Sequence, residues 1–234
     1  MSPRIDRRML LAACALAVVG AACSERSDAG VEPLSRSATG TDPAGGGAAG
    51  DPPSSPQTVA MIGDSITFMS TEPLQAELSE TGLEVLAIDA QVGRRITVGE
   101  RGQPHAGTAI AEYIANTVPP DVWVIALGTN DIGQYPDPVE FATQVQAMLD
   151  LLPEAAPLVW VDTWDGDRPD ETQLVNDTLH LMLDGRDDTL VVDWSSHGDD
   201  DGVVSGDAVH PTDAGTLVFG QVVAEGVDEL LASL

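Results

Sequence analysis

Ser65, Asp207 and His210 are the residues of this chain whose types and spacing best suit covalent chemistry. Ser65 stands in Gly63-Asp64-Ser65, directly after the apolar run 59–62, so its hydroxyl is placed at a strand-to-helix turn near a helix N-terminus. A serine hydroxyl is a poor nucleophile until a base takes its proton, and histidine can do this near neutral pH. Asp207-Ala208-Val209-His210 supplies such a base, and its short spacing lets one loop carry the carboxylate that holds the imidazole tautomer. The chemistry open to this trio is attack on an acyl carbon. Such attack puts negative charge on the carbonyl oxygen, and that charge needs fixed donors.

These residues are far apart in sequence, so a scaffold has to bring them together. From Val59 onward, short apolar runs alternate with amphipathic stretches. The runs predict strands over residues 59–62, 83–88, 121–127, 157–163 and 189–194. Apolar residues at helical spacing predict helices over 108–116, 138–152, 171–183 and about 212–231. This alternation predicts an α/β fold: a three-layer α/β/α sandwich with a central, mostly parallel five-stranded sheet. Ligands bind such sheets at the carboxyl ends of the strands, here just after Ile62, Ile88, Leu127 and Trp194. Four residue groups fall there: Gly63-Asp64-Ser65, Gly93, Gly128-Thr129-Asn130-Asp131 and Asp207–His210.

In these four blocks the chain resembles the SGNH, or GDSL, hydrolases, whose name records a Ser, a Gly, an Asn and a His. The resemblance covers essentially all of 58–234, and its one departure is Ile66 where the name motif has Leu. It implies that Ser65 is the nucleophile and that Asp207 and His210 complete a triad. It also assigns the oxyanion hole to the backbone N–H groups of Ser65 and Gly93 and to the side-chain amide of Asn130. No cofactor or metal is implied. The expected activity is hydrolysis of small O-acyl esters, most readily O-acetyl, on a carbohydrate or similar polar carrier. Acyl transfer to a sugar hydroxyl uses the same triad, and 89–95 with Asp162-Thr163-Trp164 is similar to SGNH domains fused to membrane acyltransferases. A lipase or lysophospholipase, and a non-catalytic binding module, are the remaining alternatives.

Other polar residues have plainer expected roles. Asp64 is expected to cap a helix, and Asp131 to serve a loop or a cap. His105, His180 and His197 are expected to have surface or satisfied roles. Asp199-Asp200-Asp201 and Asp165-Gly166-Asp167 lack the spacing of a calcium loop and are expected to be solvated. Arg94 and Arg95, beside Gly93, are expected to pair with acids rather than contact substrate. Trp164 and Trp194 could offer flat faces to a sugar ring, although ordinary packing is the simpler expectation.

Composition narrows the partners. With no lysine and a net charge of −28, the chain lacks the basic clusters that nucleic acid or anionic lipid headgroups demand. Aromatics make up only 4%, so aliphatic residues must supply most of the core. Residues 1–22 read as an export signal: Arg4, Arg7 and Arg8 precede an apolar run too short to span a bilayer. The run resembles a bacterial lipoprotein signal in which Cys23 carries the lipid. Cleavage after Ala22 to a secreted protein, and twin-arginine export through Arg7-Arg8, are alternatives. Cys14 and Cys23 both lie in this region, so the globular part has no thiol chemistry. Residues 23–57, rich in Gly, Ala, Ser, Pro and Asp, are expected to form a flexible tether to a domain over 58–234. The expected product is an exported monomer that meets the membrane only through its lipid anchor.

Overall fold

The structure, a computed structural model, describes residues 55–99 and 105–234. The signal over 1–22, the cysteines Cys14 and Cys23, and nearly all of the tether lie outside the described residues.

Within these described residues, five strands form one sheet: β1 (Thr58–Gly63), β2 (Glu84–Ala90), β3 (Val122–Ala126), β4 (Leu158–Val161) and β5 (Thr189–Val192). Their order is β2-β1-β3-β4-β5, and every neighbouring pair is parallel. Among the described residues, six α-helices connect and cover them: α1 (Ser65–Met69), α2 (Thr71–Glu80), α3 (Gly107–Thr117), α4 (Pro138–Leu149), α5 (Pro169–Leu183) and α6 (Asp213–Ser233).

The central strands are apolar throughout because both sheet faces are covered. Successive side chains alternate between two cores. Ala60 and Ile62, Trp123 and Ile125, and Leu158 and Trp160 face one core, with Phe141, Val145, Val175 and Leu179 from α4 and α5. Val59 and Met61, Val122 and Val124, and Val159 and Val161 face the other, with Leu74 and Leu78 from α2 and Phe219, Val223 and Val227 from α6. The result is a three-layer α/β/α sandwich. Among the described residues, no helix is long and apolar enough to cross a membrane.

The strand order places the site. The chain steps from β1 outward to β2, then crosses back to β3 on the other side of β1. The loops after β1, β2 and β3 therefore diverge above β1, leaving the crevice in which such sheets bind ligands. Asp64 starts α1 there: its side chain accepts the Ile66 N–H as an N-cap. The close turn requires glycine at 63, because a Cβ on Gly63 would lie 1.9 Å from Thr67 Oγ1.

Candidate active site

At this crevice, three side chains form a continuous hydrogen-bonded line. His210 Nε2 lies 3.0 Å from Ser65 Oγ, and His210 Nδ1 lies 2.7 Å from Asp207 Oδ2. Ser65 and His210 are 145 residues apart, so the fold alone creates this contact. The carboxylate fixes the proton on Nδ1, which leaves the Nε2 lone pair facing the serine hydroxyl.

The loop between α6 and the preceding turn is built to hold that line. Asp207 Oδ1 accepts from the N–H groups of Val209 and His210 and from the Ser205 hydroxyl, at 3.0, 2.9 and 2.8 Å. The backbone N–H of His210, then its ring, hold the Asp207 carboxyl well below the usual carboxylate range. Ser205 N–H donates to the His210 carbonyl, and Val204 bridges Pro211, closing the loop at its base. Ala208 adopts a left-handed backbone with φ of 59°, where L side chains are strained. Its carbonyl accepts the Gly166 N–H, tying the loop to the segment after β4. Thr212 then caps α6 through the Gly215 N–H.

The expected oxyanion donors come from three different loops. The N–H groups of Ser65, at the start of α1, and of Gly93 donate to no protein group among the described residues. Gly93 has φ of 75°, which a glycine adopts freely and which turns the chain after β2. Asn130, in a 3-10 turn after β3, donates through Nδ2 to Asp64 Oδ2 and to the Arg94 carbonyl, both at 3.1 Å. Both amide hydrogens are therefore held, and an oxyanion would have to share or replace one of these bonds.

Around these donors lie polar residues whose full roles the sequence did not show. Asp64 is a cap, as expected, but its second oxygen also holds Asn130. It is 1% exposed, and burial pushes its pKa up to about 6 against the Ile66 hydrogen bond and the attraction of His210. Arg94 is buried and clamps the ends of two strands: Nη1 donates to the carbonyls of Gly63 and Asp89, and Nη2 to the Asp89 carboxylate. Asp131, also buried, accepts from Arg95 Nε and Ile96 N–H, and so anchors the segment after Gly93. Burial raises its pKa, while Arg95 and Ile96 oppose that shift. The Arg95 guanidinium in turn lies over the Tyr135 ring, 5.2 Å from its centroid. Both arginines therefore pair with acids, as their surroundings in sequence suggested. Apart from the local Arg94–Asp89 pair, these links have no sequence signal, because they join loops 31 to 66 residues apart.

One expectation changes. Asp165 is not solvated: it is 2% exposed and pairs with Arg168, whose Nε and Nη2 lie 2.8 and 2.6 Å from Oδ2. A guanidinium three residues away neutralises it, which a reading based on calcium-loop spacing does not consider. Trp194 packs in the core, as the simpler expectation had it: it is buried edge-to-face against Phe219 with ring centroids 5.0 Å apart. His105 and His180 are exposed, and His197 is partly exposed and pairs with Asp200. No cluster of His, Cys, Asp or Glu among the described residues is arranged to hold a metal.

Solved structures with the same fold include the C-terminal catalytic domain of peptidoglycan O-acetyltransferase A from Streptococcus pneumoniae, carrying a methylsulfonyl adduct. It is 19% identical, with TM-score 0.56, over 77% of this chain and 95% of that one. Est24, a carbohydrate acetylesterase from Sinorhizobium meliloti, is 16% identical with TM-score 0.58, over 74% and 99%. The inhibitor-bound aryl esterase of M. smegmatis is 16% identical with TM-score 0.57, over 74% and 99%. No curated protein matches by sequence. The family model for GDSL-like lipases and acylhydrolases matches residues 61–217, which span the first three motif blocks and the Asp207–His210 pair. With this match over most of its length, on an SGNH-type α/β/α scaffold, the chain belongs to the GDSL-like lipase/acylhydrolase family.

Proposed function

We propose that this domain hydrolyses small O-acyl esters, O-acetyl above all, carried on a carbohydrate. The observation behind this reading is the unbroken line from Asp207 through His210 to Ser65. In the proposed reaction, His210 Nε2 takes the hydroxyl proton as Ser65 Oγ bonds to the acyl carbon. The N–H groups of Ser65 and Gly93 and the Asn130 amide stabilise the oxyanion. The bond to the alcohol oxygen then breaks, and His210 returns the proton to the leaving alcohol. Water, deprotonated by the same nitrogen, releases the acid from the acyl-enzyme and restores the serine.

The carbohydrate acetylesterase among the fold neighbours supports the substrate class. A second reading, acyl transfer to a sugar hydroxyl, is favoured by the O-acetyltransferase domain with the same fold. Product analysis with and without a sugar acceptor separates the two. The proposed setting is outside the cytoplasmic membrane, with the mature chain anchored at Cys23; mass spectrometry of the N-terminus tests this. Substrate scope is tested by kcat/KM for ethyl acetate, butyrate, octanoate and palmitate, with Ser65→Ala as control. Efficiency should be highest for acetate and lost in the variant. A rise toward palmitate would make the protein a lipase instead.

A further inference from the structure

A cavity of about 860 Å³ adjoins this site and plays no part in the bond chemistry above. Phe68, Val92 and Tyr113 line it while 57, 51 and 66% exposed. Phe68 and Tyr113 are the only aromatic side chains with largely open faces among the described residues, and both border this one cavity. Core packing does not require them to be there.

The cavity is joined to the reacting centre through its walls. Phe68 lies one helical turn beyond Ser65 on α1, so the two share a helix face. Val92 immediately precedes Gly93, and Arg94, another lining residue, holds the Gly63 carbonyl next to Asp64 and Ser65. A group tethered to an ester at Ser65 would therefore lie along this wall.

The polar part of the lining decides what kind of group fits. The Asp89 side chain is 41% exposed in the wall; Arg94 binds its Oδ1, and its Oδ2 accepts no protein hydrogen bond among the described residues. His105 is exposed on the same lining. An acyl chain laid here would strip water from a carboxylate and return no hydrogen bond, which is unfavourable. A hydroxylated ring offers hydroxyls to Asp89 and His105 and C–H faces to the aromatics, the mix of apolar walls and few polar groups found in ligand sites. We propose that this cavity is the saccharide subsite: a sugar ring of the substrate's alcohol portion packs on Phe68 and Tyr113 and hydrogen-bonds to Asp89 and His105. The proposal rests on the ester-hydrolase reading above and adds the place where the carrier is recognised.

The test compares two acetyl esters on the full chain, mono-O-acetylcellobiose and ethyl acetate, which has no ring, with ethyl octanoate as the acyl-chain control. Phe68→Ala and Tyr113→Ala should each lose about tenfold in kcat/KM on the sugar ester, mainly through KM, as expected for one aromatic contact. Both should stay within about twofold of wild type on ethyl acetate. Binding is read separately by titrating cellobiose into Ser65→Ala, where adding Tyr113→Ala should weaken affinity about tenfold. Equal losses on both esters, no loss on either, or a loss confined to ethyl octanoate would overturn the subsite. The last outcome would make the cavity an acyl pocket. If the wild type does not hydrolyse ethyl acetate at all, the ester-hydrolase reading fails instead, and the cellobiose titration alone then decides the subsite.

Discussion

Replacing Asp64 with asparagine should remove a defined part of the protein's pH-dependent stability while weakening turnover. Asp64 is buried at the N-terminus of α1, and burial lifts its pKa from 3.8 to about 6. A carboxyl whose folded pKa is raised contributes stability that is fully present below 3.8 and is lost as pH rises through about 6. The full span, about two pKa units, corresponds to about 3 kcal/mol. Between pH 5 and 8, safely above the isoelectric point near 4.1, the loss should be about 1.4 kcal/mol. Asp162, also raised to about 6 by burial, titrates in the same window in both proteins and cancels in the difference. The assay is urea unfolding of wild type and Asp64→Asn at pH 5 and 8, comparing the two stability differences. The variant should gain about 1.4 kcal/mol on wild type between the two conditions. A difference that does not change with pH would refute the picture of a buried carboxylate ionised at a cost. Activity should fall in parallel, because Asp64 meets Ile66 through Oδ1 and Asn130 through Oδ2, and asparagine replaces one of these oxygens with an NH2 that cannot accept.

The other predictions concern the donors and the loop that carries the base. Asn130→Ala should lower kcat about 10²–10³-fold on a small acetyl ester, the usual effect of removing one oxyanion donor. Asp207→Asn should lower kcat about 10³-fold or more, because the amide no longer fixes the His210 tautomer. Its melting temperature should also fall modestly, since the fold favours the ionised Asp207 carboxyl through the Val209, His210 and Ser205 donors. Ala208→Gly should be neutral or stabilise by up to about 1 kcal/mol in thermal unfolding, whereas Ala208→Val should destabilise, because φ is 59° there.

The sheet was largely legible in the sequence because strands buried on both faces read as uninterrupted apolar runs. Val122–Ala126 and Leu158–Val161 fall inside the expected runs 121–127 and 157–163, trimmed where their ends leave the ladder. The first two helices were harder to read. Ser65–Met69 is five residues long and breaks at Ser70, so it never completes the two turns that a helical period needs to show itself. The Ser65, Asp207 and His210 contacts could be anticipated because their motif blocks sit at strand ends. The supports could not. Asp64 bound to Asn130, Arg94 clamped on Gly63, and Asp131 under Ile96 depend on which loops meet above the sheet, and no local pattern encodes that. Trp194 was ambiguous for a related reason: its burial depends on Phe219, 25 residues later on α6.

The central claim is that Ser65, activated by His210, forms an acyl-enzyme. The most direct measurement is active-site labelling of the full chain with a fluorophosphonate, mapped by peptide mass spectrometry. The probe should phosphonylate wild type at Ser65 alone, label His210→Ala far more slowly, and leave Ser65→Ala unlabelled. Stoichiometric labelling of Ser65→Ala at another residue, or undiminished esterase activity in that variant, would contradict the account.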